Sequence, residues 1–361
     1  MRILELLPNL ASGGAERFVT DISNEMVLKD NEVFVLTFRA GNGLNFYKNE
    51  LSTNINLIEY HGGWSFCSKI YQFFVVLNYV YKIKPDVVHC HTLGFTYALF
   101  VSFFLPKKKY YYTVHNLAEN DTSLGLGAMI RRKFLKNRIR PITISRQCAE
   151  SFRNFYDYNP YGMIENGCRH LHCSCMLKSV KDEIEAYKMN NNTKVFINVA
   201  RISKQKNHIL LINAFKQFSK LHKNAILIII GRKSDAWNDI EQSLNESGNI
   251  FYLGEKHNVA DYLYCSDFFC LSSLWEGLPI SLLEAGMLGV YPICTPVGGV
   301  TDVICNTNFG ILSKDVTICS YEEALKVAVE SNLSKSDLIK MYSERYGIEK
   351  CAAKYLNVFK A

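Results

Sequence analysis

The sequence predicts an α/β protein built from two doubly wound, mostly parallel sheets. Three observations carry this. Short apolar runs alternate with longer stretches of helical spacing along the whole chain, and strands that alternate with helices form parallel sheets with right-handed crossovers. The length, 361 residues, suits two domains with a full core each. The alternation is interrupted once, by a polar and charged stretch that ends in Asn190-Asn191-Asn192. These observations divide the chain into a first domain at 1–170, a linker at 171–192 and a second domain at 193–361.

In the first half, Ile3–Leu7 reads as a buried strand stopped by Pro8, and the loop after it carries Ser12, Gly13 and Gly14. Phe18, Val19, Ile22 and Met26 then recur at helical spacing, so 15–29 is a helix. Val33–Phe38 and Asn54–Ile58 read as strands, and Ile70–Ile83 as a very apolar helix. Asp86–Cys90 is a strand running into His91, Lys109–Val114 a strand ending at His115, and Ile142–Ile144 a strand ending at Ser145. Tyr161–Glu165 closes the half at the turn signal Asn166-Gly167.

In the second half, Lys194–Val199 is a strand followed by a helix at Ile209–Leu221. Ala225–Ile230 and Ile250–Leu253 are strands ending at Gly231 and Gly254. Asp267–Leu271 is a buried strand, Val290–Cys294 another, and the tail from Tyr321 reads as helices.

The most informative stretch is 272–285, Ser-Ser-Leu-Trp-Glu-Gly-Leu-Pro-Ile-Ser-Leu-Leu-Glu-Ala. Pro279 suits a first helical position, because its missing N–H would be unpaired there. A helix start attracts an anion, above all a phosphate, through free N–H groups and the helix dipole. Ile280 and Ser281 are the expected donors. Glu276 precedes this start and Glu284 lies roughly 7–8 Å beyond it. Two carboxylates beside a phosphate pocket need other partners, and sugar hydroxyls fit.

Ligands of doubly wound sheets bind beyond the carboxyl ends of strands. That rule places Gly13, Gly14, His89, His91, His115, Arg201, Gly231, Glu255 and Glu276 on the ligand side. Arg201 and Lys206 share the loop after a strand. A guanidinium grips two phosphate oxygens and an ammonium adds a point charge. His89 and His91, read as alternating across a strand end, are expected to put one ring of the two on that side.

The net charge is +7. Residues 1–190 hold 23 Lys and Arg against 17 Asp and Glu, and the rest hold 18 against 17. The excess includes Lys107–Lys109, Arg131–Lys133, Lys136, Arg138 and Arg140, a pattern suited to an anionic membrane surface. No nucleic-acid-binding motif accompanies it. No apolar run reaches the roughly 18 residues of a membrane span, and the N-terminal run Ile3–Leu7 does not make a signal peptide. The expected location is therefore the cytoplasm, peripheral on the inner face of the plasma membrane, with the 12 cysteines as thiols. Cys168, His170, His172, Cys173 and Cys175 could bind zinc, but their spacing matches no paired knuckle and reads as an interdomain loop.

These residues together resemble the GT-B glycosyltransferases of family 4. Ser12-Gly13-Gly14-Ala15-Glu16 resembles the family's N-terminal glycine loop, and His89-Cys90-His91 with Thr113-Val114-His115-Asn116 its histidine segments. Ile164-Glu165-Asn166-Gly167 is similar to the segment that ends its first domain. Arg201 with Lys206-Asn207 resembles its phosphate loop, Glu276 and Glu284 its paired glutamates, and Gly298-Gly299 the glycine pair that follows. The resemblance implies two Rossmann-like domains facing across a cleft, with C-terminal helices able to return to the first domain. It implies a retaining transfer from a nucleotide sugar, UDP- or GDP-linked, to a glycan or lipid-linked acceptor of cell-surface polysaccharide synthesis.

By that resemblance Arg201 and Lys206 neutralise the leaving diphosphate, Glu276 and His115 contact the donor sugar, and Glu284 holds the ribose. Gly13, Gly14 and Gly231 lie near the donor, and Glu255 and Lys256 near the base. Glu16, His89 and His91 stand on the acceptor side. Gly231-Arg232-Lys233 departs from the family's glycine-rich turn, which puts the nucleotide contacts of that loop in question.

The chemistry agrees with this reading. Cations at the departing diphosphate stabilise a transition state in which charge leaves an oxocarbenium-like centre. With no Asp-x-Asp motif in the chain, that duty is expected of Arg201 and Lys206, with no metal or other cofactor. Carboxylates paired for double displacement are not evident. Two rivals remain: a nucleotide-sugar epimerase on the same fold, and a non-enzymatic two-domain binding protein.

Overall fold

In the computed structural model, the residues described are all except 42, 64, 122–134 and 332–333. The chain forms two compact units, Met1–Arg169 with Ile348–Ala361, and His170–Gly347. Each is a parallel sheet with helical crossovers.

The first unit has seven strands: β1 (Arg2–Leu7), β2 (Glu32–Thr37), β3 (Asn56–Glu59), β4 (Val87–His91), β5 (Lys109–Val114), β6 (Arg140–Thr143) and β7 (Gly162–Met163). Their spatial order is β3-β2-β1-β4-β5-β6-β7. The order changes direction between β1 and β4, which makes their carboxyl ends a topological switch point. Leu4, Leu6, Leu36, Val88, Cys90, Tyr110 and Tyr112 from four of these strands share a core with Val76, Val80, Phe95 and Val101 from the crossover helices.

The second unit has six: β8 (Lys194–Val199), β9 (Ala225–Ile230), β10 (Ile250–Tyr252), β11 (Phe268–Leu271), β12 (Tyr291–Cys294) and β13 (Ile311–Leu312), in the order β10-β9-β8-β11-β12-β13. Its switch point lies between β8 and β11. β9 is Ala-Ile-Leu-Ile-Ile-Ile and buried throughout, the run expected of a central parallel strand covered on both faces.

Two boundaries differ from the sequence reading. The stretch 171–192 carries a helix, Leu177–Tyr187, that belongs to the second unit. Val180 and Ile184 bury one side of it, a spacing easily lost among so many charges. The last helix, Ile348–Lys360, belongs to the first unit and not to a domain running to 361, as the resemblance implied for the C-terminal helices, and its Cys351, Tyr355 and Phe359 are buried. Its Tyr355 hydroxyl lies 2.8 Å from Thr113 Oγ1, and Lys109 Nζ donates to the Phe359 and Lys360 carbonyls at 3.1 and 3.3 Å. Cations at a helix C-terminus satisfy carbonyls that have no partner within the helix.

Candidate functional site

The second unit brings the predicted basic loop and the predicted glutamate together at its switch point. After β8 the chain makes a short turn at Lys204–Lys206 and passes through Asn207 with φ 49° into the helix His208–Leu221. Four bonds lace this loop to the end of β11. Ser272 Oγ donates to the Lys206 and Asn207 carbonyls at 3.0 and 3.1 Å. Leu274 N–H donates to Gln205 O at 2.8 Å, and Gln205 Nε2 to Trp275 O at 2.9 Å.

That lacing sets Lys206 Nζ 2.5 Å from Glu276 Oε1. Ser273 Oγ donates to the same oxygen at 2.5 Å. The Glu276 side chain is 6% exposed and that of Lys206 18%, so water screens this pair far less than a surface pair. Glu276 is itself held from behind. Gly298 has φ +54°, and any side chain there would run into the Glu276 carbonyl. Gly299 N–H donates to Gly277 O at 2.7 Å. The glycine pair is thus the bed on which the Glu276 loop lies.

The other predicted residues of this unit surround the same strand ends. Arg201 is exposed just past β8. Gly231 follows β9 at φ +155°, so close to Ala200 and Arg201 that a side chain would collide with the Ala200 carbonyl. Its N–H donates to Gly254 O at 2.8 Å, which ties the loop bearing Glu255 and Lys256 to that of Arg201. Glu255 is exposed, and Lys256 Nζ sits 5.3 Å from the Tyr262 ring centroid.

The helix after β11 runs Ile280–Met287, with Pro279 in the capping position rather than the first helical one, at ψ 124°. No side chain of the described residues caps this start. Ile280 is buried, Ser281 and Glu284 are half-buried, and Glu284 is four residues into the helix.

His208 was missed by the sequence reading. It is buried at the first position of its helix, with Nε2 2.9 Å from Asn198 Oδ1. Asn198 Nδ2 donates to Cys270 O at 2.8 Å, so its Oδ1 is the accepting atom and His208 Nε2 the donor. His208 Nδ1 is buried without a hydrogen-bond partner among the described residues. Burial, with the charge of Lys206 nearby, holds this imidazole down at about 3.

The first unit has its own polar cluster, also at a switch point. Glu5 on β1 pairs in register with His89 on β4, and His91 with Thr113 on β5. Glu5, His89, His91 and Thr113 are all fully buried. His89 Nδ1 lies 3.0 Å and His91 Nε2 2.7 Å from Glu5 Oε2. His89 Nε2 lies 2.8 Å from Thr113 Oγ1, and His91 Nδ1 lies 2.9 Å from His115 Nε2.

Both histidines therefore face one way, against the expectation of a single inward ring. Residues two apart on a strand share a face. Glu5 was not singled out either, because it reads as part of an apolar strand. Burial alone would raise its carboxyl, but His89 and His91 together bring it down to about 2.

Among the described residues, Glu5, His89 and His91 are the group whose ligand atoms, within 4.8 Å of one another, could share a cation. Hydrogen bonds already occupy those atoms. The Cys168–Cys175 segment contributes no such group among the described residues, and all twelve cysteines are free thiols. Gly13 and Gly14 open the first helix, Gly14–Leu28, with the Glu16 carboxylate folded back toward Gly13.

Comparison with known proteins places this geometry in a family. Residues 12–169 match Glycosyltransferase Family 4, and residues 179–345 match Glycosyl transferases group 1. An uncharacterized glycosyltransferase of Methanocaldococcus jannaschii is 36% identical over 31% of this chain and 28% of its own length. The Escherichia coli UDP-Gal:α-D-GlcNAc-diphosphoundecaprenol α-1,3-galactosyltransferase is 29% identical over 38% of this chain and 37% of its own length. The segments matched in these two relatives are thus well under half of each.

A Campylobacter jejuni α-1,4-N-acetyl-D-galactosaminyltransferase, named for a diphospho-undecaprenol-linked substrate, is 24% identical over 86% of this chain and 84% of its own length. In fold, the chain resembles Anabaena HepE in complex with UDP and glucose, with a TM-score of 0.84, 15% identity and coverage of 100% and 99% of the two chains. The chain belongs to the GT-B glycosyltransferases of the family 4 type.

Proposed function

We propose that the chain transfers a sugar from a nucleotide-sugar donor to a glycan or lipid-linked acceptor in cell-surface polysaccharide synthesis. The observation that carries this is the partly buried Lys206–Glu276 pair at the β8/β11 switch point, flanked by Arg201 and by the helix start at Ile280. Relatives named for undecaprenol-diphosphate acceptors support the acceptor class. A UDP-Gal donor in one relative's name, and UDP bound to a structural neighbour, favour UDP over GDP as the first nucleotide to test.

In this reading Arg201 and Lys206 supply the positive charge that meets the departing diphosphate. Glu276 aims Lys206, because a paired ammonium loses its rotational freedom. Both bonds to Glu276 fall on Oε1, which leaves Oε2 for a sugar hydroxyl. A carboxylate already shared by an ammonium and a hydroxyl is a poor nucleophile. We therefore favour departure and attack on the same face over a covalent intermediate, with retention as the outcome and no need of a metal.

The first unit supplies a surface for the membrane. The helix Phe66–Ile83 exposes Phe66, Ile70, Tyr71, Phe74 and Tyr81, and the helix Gly94–Phe104 exposes Phe103 and Phe104. Lys69, Lys82, Lys84 and Lys107 are exposed on or beside these helices. Apolar rings with lysines suit the interface of an anionic leaflet. Part of the basic set inferred from sequence has other work. Lys109 caps the last helix, and Arg140 donates to Tyr111 Oη at 2.8 Å. Arg131–Lys133 lie outside the described residues. No helix among the described residues is long and apolar enough to cross a membrane.

Incubation with a panel of nucleotide sugars, with and without lipid extract and with a chelator throughout, tests the reading. Acceptor-dependent release of nucleoside diphosphate supports it. Conversion of the donor sugar without release would point to an epimerase. Rescue by a divalent ion alone would refute metal independence.

A further inference from the structure

We infer that Glu5 and His91 are positioning residues that fix the tautomer of His115, so that His115 Nδ1 is a bare hydrogen-bond acceptor selecting a sugar hydroxyl. The inference rests on the transferase reading above and adds a substrate class to it.

The direction of the chain follows from its buried end. An ionised carboxylate only accepts hydrogen bonds, so His91 Nε2, 2.7 Å from Glu5 Oε2, carries a proton. A neutral imidazole has one N–H, so His91 Nδ1 accepts. His115 Nε2, 2.9 Å from that nitrogen, must then donate. The remaining nitrogen of His115, Nδ1, is left with its lone pair.

The charge states support this. Burial, then the neighbouring His89, hold His91 down at about 4, against the pull of Glu5. Burial, then His91 and His89, hold His115 well below its ordinary value. Both rings are therefore neutral at pH 7. The His115 ring is also fixed in space, with its centroid 5.5 Å from Phe18 in an edge contact and 5.2 Å from His91. Of the three groups in the chain, His115 alone is partly exposed. The order imposed on a buried carboxylate thus emerges at the carboxyl end of β5, where ligands of such sheets bind.

A bare imidazole nitrogen there welcomes a hydroxyl, which can donate to it. It has nothing to offer a deoxy position, and it repels a carboxylate, which can only accept. The substrate class is a neutral sugar with a free hydroxyl at this point, in preference to its deoxy or uronic acid counterpart.

The test has a spectroscopic arm and a kinetic arm. Imidazole ¹⁵N spectra of the full chain at pH 7 should show His115 protonated at Nε2 and bare at Nδ1. A His115 protonated at Nδ1, or at both nitrogens, overturns the inference. So does an unprotonated His91 Nε2, the signature of a cation held by Glu5, His89 and His91. This arm needs no transferase activity, so it decides the tautomer even if the functional reading fails.

The kinetic arm compares His91→Asn with His91→Gln. The Asn amide stands where Nδ1 stood and can still accept from His115. The Gln amide reaches toward Glu5 and leaves His115 Nε2 without its acceptor. Asn should keep the tautomer and should lose distinctly less turnover than Gln. Gln should mix the tautomers and lower turnover about tenfold, the order of one lost hydrogen bond, with nucleoside diphosphate affinity unchanged. It should also narrow the preference for the neutral sugar over the uronic acid. Equal losses in both variants, or none in either, would reduce the chain to packing and overturn the inference.

Discussion

Lys206 Nζ and Glu276 Oε1 meet at 2.5 Å, with Ser273 Oγ on the same oxygen. These residues are separated by three strands in sequence, yet β8 and β11 lie side by side in the sheet. The pair joins the cation expected at the diphosphate to the carboxylate expected at the sugar, so the two cannot act independently.

Coupling is the first consequence. A double-mutant cycle of Lys206→Met and Glu276→Gln, read in kcat/KM, should show an interaction of about 1–3 kcal/mol. Additive effects would mean that the pair does not persist in the working site. Lys206→Met alone, which leaves a buried carboxylate with Ser273, should lower unfolding stability by about 1–3 kcal/mol, short of the full cost at a wholly buried pair. Denaturant titration measures it.

The glycine pair makes a second prediction. Gly298→Ala places a Cβ against the Glu276 carbonyl at φ +54°. The backbone strain costs about 1 kcal/mol or more, and the Glu276 loop must shift. Turnover should fall by more than tenfold while the fold survives, as circular dichroism will show. Wild-type rates in this variant would mean that the position of Glu276 does not matter.

Acid should expose His208. Its folded value of about 3 lies below the ordinary 6.5, so the unfolded chain takes up this proton first as pH falls. Stability is then full above pH 6.5 and declines from there toward pH 3. The contribution lost between pH 6.5 and 5 is about 2 kcal/mol. His208→Gln keeps a donor near Asn198 Oδ1 and removes the titration. The loss of stability between pH 7 and pH 5 should therefore be smaller in the variant by about that amount. An identical loss in both chains would rule out His208 as its source.

Membrane docking is tested by flotation. Recovery on anionic vesicles should exceed that on neutral ones and drop in high salt. Phe74→Ser with Phe104→Ser should weaken recovery at both salt concentrations, since these rings are exposed and add an apolar term. Equal recovery on both lipids would contradict the proposal.

Much of the second unit was legible in sequence because its chemistry is local. Glu276 and Glu284 sit in one stretch, Arg201 and Lys206 in another, and each follows an apolar run of strand length. What sequence did not reveal depends on contacts far apart in the chain. Glu5 looks like a flaw in an apolar strand until β4 is laid beside it, 84 residues away. Tyr355 reaches Thr113 across 242 residues; the resemblance implied a returning C-terminal helix, but no spacing predicts this contact. His208 differs: its partner Asn198 is only ten residues before it, on β8, but no periodic pattern links a strand end to the helix start that follows. The pairing of Lys206 with Glu276 was likewise hidden, though both residues were named.

The central claim is that a nucleotide sugar binds beyond β8 and β11, with Glu284 on the nucleotide and Glu276 on the reacting sugar. Calorimetric binding of UDP and GDP, beside steady-state rates for Glu284→Ala and Glu276→Gln, tests it most directly. Glu284→Ala should weaken nucleoside diphosphate binding about 10- to 100-fold, as expected for a lost charge-assisted hydrogen bond. Glu276→Gln should leave that affinity within a few-fold and lower turnover far more. Abolished nucleotide binding in Glu276→Gln with intact binding in Glu284→Ala would reverse the assignment. Full activity in both would contradict the site itself.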